Sequence, residues 1–360
     1  MSFEILFIVY FVYGLAFFSM GLILALEASR TSILEQKQLL ALLALFALAG
    51  GALLVDRLAR AREARAVALY PPEGQFVTVG GRRVHAVVAG SGPDLVLIHG
   101  AGGNTRDMSF ALLDRLTERY RVIIFDRPGL GYTDRSDDRY AGWFMSQAES
   151  PAEQAALLQA AAAALGADRP LVLGHSFGNA VALAWALDHP DHIAGLIDVG
   201  GVSMPWPGGL GAYYTVNGSA LGGALVTPLI TAFVPEARVQ ASIAAVFAPN
   251  PAPEGYDTYI GADLTLRRAS LRANARQVNG LLPHIVAMSA RYGDLRLPVE
   301  IVHGDADDTV PLAIHSARLV EIIPEANLTI LPGIGHMPHH ADPVAVVAAI
   351  DRAAARAGLR

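Results

Sequence analysis

The chain has no cysteine among its 360 residues. This absence excludes disulfide bonds, a thiolate nucleophile and zinc sites built from cysteine ligands. Basic residues are also few, with 27 lysines and arginines against 33 acidic residues and a formal charge of −6. Because nucleic-acid binding needs a basic surface, this balance argues against a nucleic-acid partner.

Charged residues are missing altogether from residues 5–26, which are rich in Phe, Ile, Leu, Val and Tyr. About 20 apolar residues suffice to cross a bilayer as a helix. A second apolar run, at 39–55, has 17 residues. A secretory signal would carry a Lys or Arg before its apolar run, and none precedes the first run here. The sequence therefore predicts two membrane-spanning helices. The alternatives are a buried core helix, or a cleaved leader followed by one span.

The positive charges near these runs predict the orientation of the helices. Arg30 and Lys37 lie between the runs, and four arginines follow the second run: Arg57, Arg60, Arg62 and Arg65. Because the cytoplasmic side carries the excess of Lys and Arg, we expect a hairpin with both ends in the cytoplasm, in an inner membrane of the bacterial type. Residues 56–68 are then predicted to form a basic amphipathic helix leading off the membrane surface.

From Gln75 onward, short apolar runs alternate with helical patterns, which is typical of a mostly parallel sheet covered on both faces. The predicted strands are 76–79, 84–88, 95–98, 122–125, 171–173, 193–199, 299–302 and 327–331. The predicted helices of this part are 105–119, 151–165, 177–188, 312–322 and 342–357.

The alternation stops between residues 203 and 294, where Pro and Gly are frequent and helical pieces are predicted at 235–247 and 263–281. The sequence therefore predicts an α/β protein with three parts. They are a membrane anchor at 1–70, a sheet domain at 75–202 and 295–360, and an inserted helical segment at 203–294.

The stretch Gly174-His175-Ser176-Phe177-Gly178 lies between a predicted strand and a predicted helix. In this context the Gly-x-Ser-x-Gly pattern is typical of a sharp turn that presents a serine nucleophile. The two glycines lack the Cβ atoms that would clash in such a turn. We therefore predict that Ser176 is the nucleophile, at a helix N-terminus with free backbone N–H groups.

A serine hydroxyl needs a general base, which an acidic side chain must orient. His336 follows the last predicted strand, and Asp307 lies in the loop after the strand before it. The chain order Ser176, Asp307, His336 is typical of hydrolases with a serine on such a turn. We therefore predict His336 as the base and Asp307 as the acid. Asp308 is the alternative acid, and Asp305 is expected to shape the turn.

Two further histidines, His339 and His340, lie near the start of the last predicted helix. We expect both of them on the protein surface. A metal site formed by His336, His339 and His340 is the alternative, and we expect no metal ion in the favoured interpretation.

A tetrahedral oxyanion needs preorganised N–H donors. One predicted donor is the backbone N–H of Phe177. The glycine-rich loop 99–104 is expected to supply the other, from Ala101 or, in reserve, from Gly102; a plain glycine-rich turn is the alternative. The loop 126–131, DRPGLG, is not followed by the GK[ST] of a phosphate loop, so we expect it to shape the sheet edge.

The insertion is rich in aromatic side chains, which suit a hydrophobic acyl or aromatic substrate. Packing into a core of the insertion is the favoured interpretation for most of them. They are Trp206, Tyr213, Tyr214, Phe233, Phe247, Tyr256 and Tyr259. Four arginines, Arg267, Arg268, Arg272 and Arg276, recur at helical spacing. We expect them on a solvated helix face, with recognition of a substrate carboxylate as the alternative.

Taken together, these motifs resemble those of the α/β-hydrolase superfamily over residues 75–358. The motifs are HGAGGN at 99–104, DRPGLG at 126–131, GHSFG at 174–178, GDADDTVP at 304–311 and GH at 335–336. The resemblance implies an eight-stranded, mostly parallel sheet and a helical cap at 203–294 over the active site. It also implies that the acid lies three residues after Gly304, at Asp307. The serine distinguishes this chain from haloalkane dehalogenases and epoxide hydrolases, which resemble it but carry an aspartate nucleophile.

The expected function is that of a membrane-anchored serine hydrolase that cleaves an ester of a small hydrophobic substrate through an acyl-enzyme, without a cofactor. A C–C bond hydrolase or a haloperoxidase-like relative using the same residues is the first alternative. An interaction protein with the hydrolase fold but without catalysis is the second.

Overall fold

The computed structural model describes residues 33–360. The first predicted span, 5–26, lies outside these residues. Helix α1 (Ile33–Leu69) contains both the second predicted span and the segment 56–68. That segment does not form a separate helix, because α1 continues through Gly50 and Gly51 without a break, and Arg60 pairs with Asp56 one turn earlier. The helix ends before Pro71 and Pro72, which cannot continue it.

The N-terminal half of α1 is apolar, and none of the residues in its most apolar part is buried. The stretch Leu34–Leu69 is long and apolar enough to cross a bilayer, with a mean hydropathy of 2.3 in its most apolar window. This helix could therefore act as a membrane anchor or belong to a signal sequence.

In the described part of the chain, eight strands form one sheet in the order β1-β2-β4-β3-β5-β6-β7-β8. Their bounds are β1 Gln75–Val79, β2 Arg82–Ala89, β3 Asp94–Ile98, β4 Arg121–Phe125, β5 Leu171–His175, β6 Gly195–Val199, β7 Val299–Gly304 and β8 Ala326–Leu331. Strand β2 is antiparallel to both of its neighbours, and the other pairs are parallel. The predicted fold class is confirmed.

The helices after α1 are α2 Thr105–Leu116, α3 Pro151–Ala164, α4 Phe177–Asp188, α5 Ala212–Gly218, α6 Ala220–Phe233, α7 Glu236–Phe247, α8 Tyr256–Tyr259, α9 Ala262–Thr265, α10 Arg268–Asn279, α11 Leu281–Ser289, α12 Ser316–Ile322, α13 Pro338–Ala341 and α14 Pro343–Arg356. Two hydrophobic cores lie on opposite faces of the sheet. One contains α3 and α4, around Trp185, and the other contains α2 and α14, around Leu112 and Ile350. Burial on both faces explains why the central strands are continuous apolar runs.

Helices α5 to α11 lie between β6 and β7, in the region where the strand–helix alternation stops. The helix predicted at 263–281 is divided among α9, α10 and α11. Arg267, before α10, has an extended backbone with φ −60° and ψ 137°, and Gly280 separates α10 from α11. A periodic pattern does not reveal such breaks, because the side chains on either side keep their helical spacing.

Candidate active site

Ser176 lies in a sharp turn between β5 and α4. It is the one non-glycine residue with a positive φ, 53°, in the described range 33–360. A Cβ on Gly174 would lie 2.5 Å from the Cα of Asn179, and one on Gly178 would lie 2.2 Å from the Ile98 carbonyl oxygen. Both glycines are therefore required by close backbone approach, as the sequence predicts. The strained turn holds the serine in one position at the end of the sheet.

The three residues predicted to act together are joined by hydrogen bonds. The Ser176 Oγ lies 2.9 Å from the His336 Nε2, and the His336 Nδ1 lies 2.8 Å from an Asp307 Oδ2. All three residues are buried. In this arrangement the serine hydroxyl donates to the imidazole, and the Nδ1–H of the imidazole donates to the carboxylate. Such a chain can carry the serine proton to His336 while Asp307 fixes the ring.

Asp307 is held by more than its bond to His336. Its Oδ1 accepts hydrogen bonds from the backbone N–H groups of Thr309 and Val310, both at 2.8 Å. Burial by itself raises the pKa of Asp307, but the hydrogen bonds from His303 and His336 hold that pKa well below its ordinary value. The carboxylate therefore stays ionised while it orients His336.

The sequence interpretation missed His303, which lies in β7 directly before Gly304 and the loop motif. Its Nε2 lies 3.3 Å from Asp307 Oδ2 and 2.8 Å from the Val310 carbonyl oxygen. The other two acids of the loop are placed differently from Asp307. Asp308 is exposed, and Asp305 accepts the Gly333 N–H at 2.6 Å, which is the turn role expected of it.

The predicted oxyanion donors differ in availability. Within the described residues, neither the Phe177 N–H nor the Ala101 N–H donates to another residue. The Gly102 N–H, in contrast, donates to Asn274 Oδ1 at 2.8 Å, so the reserve candidate is wrong. The Thr265 hydroxyl also donates to the Gly102 carbonyl oxygen, at 2.7 Å, so two side chains of the insertion hold the loop 99–104 in place. The sequence does not predict this role of Asn274, because its partner Gly102 lies 172 positions away.

Arg127, the second residue of the DRPGLG loop, lies behind the two free N–H groups. Its side chain is completely buried. Its guanidinium donates to the Gly100 carbonyl oxygen at 3.3 Å and to the side-chain oxygens of Gln154 and Gln277 at 2.9 Å. Its guanidinium carbon lies 4.1 Å from the centre of the Phe177 ring. Burial lowers the pKa of Arg127 to about 9. The sequence interpretation named the loop but missed this residue.

The loop 126–131 follows the carboxyl end of β4 and shapes that edge of the sheet beside the site, as predicted. Asp126 accepts the backbone N–H groups of Thr105 and Tyr132, both at 2.8 Å, and contacts His85 Nδ1 at 2.6 Å. A Cβ on Gly131 would lie 2.0 Å from the Asp126 carboxyl carbon. The glycine therefore leaves room for a buried carboxylate that ties three segments together.

His339 and His340 are not on the surface, so that prediction is wrong. Their Nε2 atoms lie 3.3 Å and 2.9 Å from the two Asp107 carboxylate oxygens, and the Tyr256 hydroxyl donates to the same carboxylate at 2.8 Å. The short helix α13 carries both histidines and packs against α2, which contains Asp107. Burial lowers the pKa of His339 to about 4.

The alternative metal trio with His336 does not form either, because His336 faces Ser176. Asp107, His339 and His340 could offer ligand atoms that lie within 4.8 Å of one another. Hydrogen bonds from the two imidazoles and from Tyr256 already account for the position of the carboxylate.

The arginines of α10 do not form a solvated face, so that prediction is also wrong. Arg272 and Arg276 are buried, and they donate to backbone carbonyl oxygens of the segment 140–145. Arg268 instead binds Glu63 and Asp56 of α1, each at 2.7 Å. Every residue has a backbone carbonyl group, so the pattern of side-chain types does not show that an arginine will bind one. For this reason the helical spacing of the arginines was misleading.

The aromatic residues of the insertion differ in burial, and two of them pack together as the favoured interpretation expects. Phe247 and Tyr256 are buried, with ring centres 4.9 Å apart. Tyr213 is 46% exposed, and the remaining aromatic residues of the set are half-buried. Together, the strand order and the serine turn after β5 define an α/β hydrolase fold.

Residues 95–350 match the family model described as the alpha/beta hydrolase family, and the chain belongs to this family. It is 30% identical to a 2-hydroxymuconate semialdehyde hydrolase from Pseudomonas putida, over 74% of this chain and 88% of that one. A hydrolase function follows from the family.

Two solved structures are similar as well. An alpha/beta hydrolase fold protein from Burkholderia ambifaria has a TM-score of 0.63 and 26% identity, covering 77% of this chain and 96% of that one. An esterase from Rhodococcus sp. ECU1013 has a TM-score of 0.57 and 25% identity, covering 78% of this chain and 97% of that one. Relatives of different hydrolytic specificity thus share this fold.

Proposed function

We propose that this chain is a membrane-anchored serine hydrolase that cleaves a carboxylic ester, or a similar acyl bond, of a hydrophobic substrate. The observation that carries the proposal is the hydrogen-bonded chain of Ser176, His336 and Asp307 beside two free backbone N–H groups. The similarity to the Rhodococcus esterase supports the ester as the bond that is cleaved.

In the proposed reaction, the Ser176 Oγ attacks the acyl carbonyl carbon while the His336 Nε2 takes the serine proton. The carbonyl oxygen becomes an oxyanion, which accepts hydrogen bonds from the N–H groups of Phe177 and Ala101. His336 then gives its proton to the leaving alcohol, and the acyl-enzyme remains. Water attacks the acyl-enzyme with His336 again as the base, which releases the acid and restores Ser176.

The anchor is part of the proposal. Helix α1 supplies one span, and residues 5–26 supply another by their composition. The arginines after the second span favour a catalytic domain on the cytoplasmic side. An anchored enzyme would meet hydrophobic substrates where they accumulate, at the bilayer.

The proposal is tested by labelling the detergent-solubilised full chain with a fluorophosphonate, which reacts with an activated serine. We expect labelling of the wild type and none of Ser176→Ala, because the probe needs the Oγ that His336 activates. His336→Gln should reduce labelling strongly while the protein stays folded by circular dichroism. A folded wild type that does not react would favour the interaction protein without catalysis.

Cleavage of a C–C bond by the same three residues is the second candidate. It is favoured by the 30% identity to the hydrolase that acts on 2-hydroxymuconate semialdehyde. A panel of aliphatic esters beside that semialdehyde separates the two candidates. Turnover of the semialdehyde with poor turnover of every ester would replace the ester proposal.

A further inference from the structure

One long stretch of the insertion has no charged residue. Between Asp198 and Glu236 there are 37 residues, and none of them is Asp, Glu, Lys, Arg or His. This stretch contains α5 and α6. A surface helix of a globular protein normally carries charges on its outer face.

Helix α6 has its polar and apolar faces exchanged. Leu221 and Leu225 are each 67% exposed, and Leu229 follows on the same face at 39%. The hydroxyl groups of Thr227 and Thr231 point inward, where they donate to the Asn217 side chain and to the Leu266 carbonyl oxygen. In a helix at a water-exposed surface, the apolar side chains face inward and the polar ones face outward, so the arrangement in α6 is the reverse.

Two exposed aromatic residues lie beside α6. Trp143 is 58% exposed and Phe144 is 67% exposed. The Arg272 side chain connects them to the helix, since it donates to the Trp143 carbonyl oxygen and its Nε would lie 2.8 Å from a Cβ on Gly223. With Tyr213 of α5, these residues form one surface, here named the outer patch. The outer patch consists of Trp143, Phe144, Tyr213, Leu221, Leu225 and Leu229.

The outer patch is next to the proposed anchor. Helix α6 packs against α1, and Arg62 of α1 donates to the Val234 carbonyl oxygen at the end of α6, at 2.7 Å. Arg62 also pairs with Asp263 at 2.9 Å, which fixes α1 on the insertion. The apolar half of α1 exposes side chains such as Leu45 and Phe46. A bilayer around that half of α1 would lie close to α6.

We propose that the outer patch docks into the surface of the lipid bilayer that holds α1, with its leucines at the boundary between headgroups and acyl chains. This inference rests on the proposed membrane anchor. None of the six residues of the outer patch is charged, and Trp143 and Tyr213 are residue types that favour the membrane interface. The helices of the insertion would then face the bilayer, from which a hydrophobic substrate reaches the site.

The absence of cysteine makes a direct test possible, because a single introduced thiol carries the only label. Three variants of the full chain, Leu225→Cys, Leu45→Cys and Val344→Cys, are labelled with a nitroxide and reconstituted into phosphatidylethanolamine and phosphatidylglycerol vesicles. Val344 is the matched control, because it is an apolar residue 70% exposed on α14, outside the outer patch. Electron paramagnetic resonance then measures the accessibility of each label to oxygen, which concentrates in lipid, and to a water-soluble nickel chelate.

We expect the ratio of oxygen to nickel accessibility to be several-fold higher at position 225 than at position 344, and high at position 45. A ratio at 225 equal to that at 344, with a high ratio at 45, would overturn the docking and leave the anchor standing. Low ratios at all three positions would overturn both. A label at 225 shielded from both reagents and broadened by a second spin would show that another copy of the chain covers the outer patch. None of these outcomes depends on hydrolytic activity, so a failure here is separate from a failure of the proposed reaction.

Discussion

At the scale of single residues, Arg127 is a buried cation whose guanidinium donates to neutral oxygen atoms, those of Gly100, Gln154 and Gln277. It donates to the Gly100 carbonyl oxygen, which also accepts from His99 Nδ1 at 2.9 Å. That carbonyl and the Ala101 N–H belong to one planar peptide group and point in opposite directions. Arg127 thereby orients and polarises the peptide whose N–H is the proposed oxyanion donor.

From this geometry we expect Arg127→Met to lower kcat for an ester about 10- to 100-fold, with a small change in KM. The variant would leave the substrate site intact while the Gly100–Ala101 peptide loses its orienting cation. Steady-state kinetics measure the split between kcat and KM, and circular dichroism checks the fold.

Two companion variants make the Arg127 prediction specific. Arg127→Lys keeps the charge but not the planar fork, so its kcat should fall between wild type and Arg127→Met. Arg119→Met removes an arginine that pairs with Asp351 away from the site and should leave kcat unchanged. An unchanged kcat in Arg127→Met would remove the positioning role.

At the scale of elements, α1 is bound to the insertion by a few polar contacts. Arg268 at the start of α10 forms a two-pronged contact with Glu63, and Glu63 also accepts the Arg268 backbone N–H at 2.9 Å. The side chains of Arg268 and Glu63 are mostly buried. Such charge-assisted pairs are stronger than exposed ones.

Removing this contact is expected to loosen α1 from the insertion. Arg268→Ala should lower the free energy of unfolding by about 1 to 2 kcal/mol and speed amide hydrogen exchange in α10. Arg60→Ala is the control, because Arg60 forms an exposed pair with Asp56 and should change neither quantity measurably. Equal exchange in the two variants would show that apolar packing alone holds α1 in place.

At the scale of the whole molecule, four buried histidines predict sensitivity to acid: His99, His175, His315 and His339. Burial lowers the pKa of three of them to about 4 and that of His175 well below its ordinary value. The unfolded chain binds these protons near pH 6.5, before the folded chain does, so the free energy of unfolding should fall as pH decreases from about 6.5 to about 4.

The pKa values of His85 and His303 are raised by Asp126 and Asp307 against the effect of burial. The stability they add is complete below about pH 6.5 and is lost as pH rises above that value, so it does not change with pH between about 6.5 and 4. Urea unfolding at about pH 6.5, 5.5 and 4.5 measures the slope within this window. His339→Gln should make it shallower, whereas His284→Gln, at an exposed position, should not. A free energy that stays constant over this range would contradict the prediction.

The orientation of the whole chain in the membrane is open to a simple experiment. The arginines after residue 55 predict that the catalytic domain stays in the cytoplasm. An alkaline phosphatase fused after Arg360 should therefore be inactive, because that enzyme needs an oxidising compartment to form its disulfides. A green fluorescent protein fused at the same place should fluoresce. Strong phosphatase activity would place the domain on the other side.

Features that depend on neighbouring residues could be predicted from the sequence. The turn around Ser176 is an example, because the glycines that allow it lie two positions away on either side. The same holds for the strands, whose apolar runs reflect burial on both faces, and for the end of α1 at its prolines. The preference for Asp307 over Asp308 came from the resemblance to the α/β hydrolases, which implies an acid three residues after Gly304, and the structure buries the first and exposes the second.

Features that depend on which distant groups meet were decided only by the tertiary structure. His339 and His340 look like surface residues until α13 packs on α2 and gives them Asp107. Arg272 finds backbone carbonyl groups, and the Gly102 N–H finds Asn274, across more than a hundred residues of chain. The physical reason is that a buried polar group must find a partner, while the residue types along the chain do not say which group the fold brings within reach.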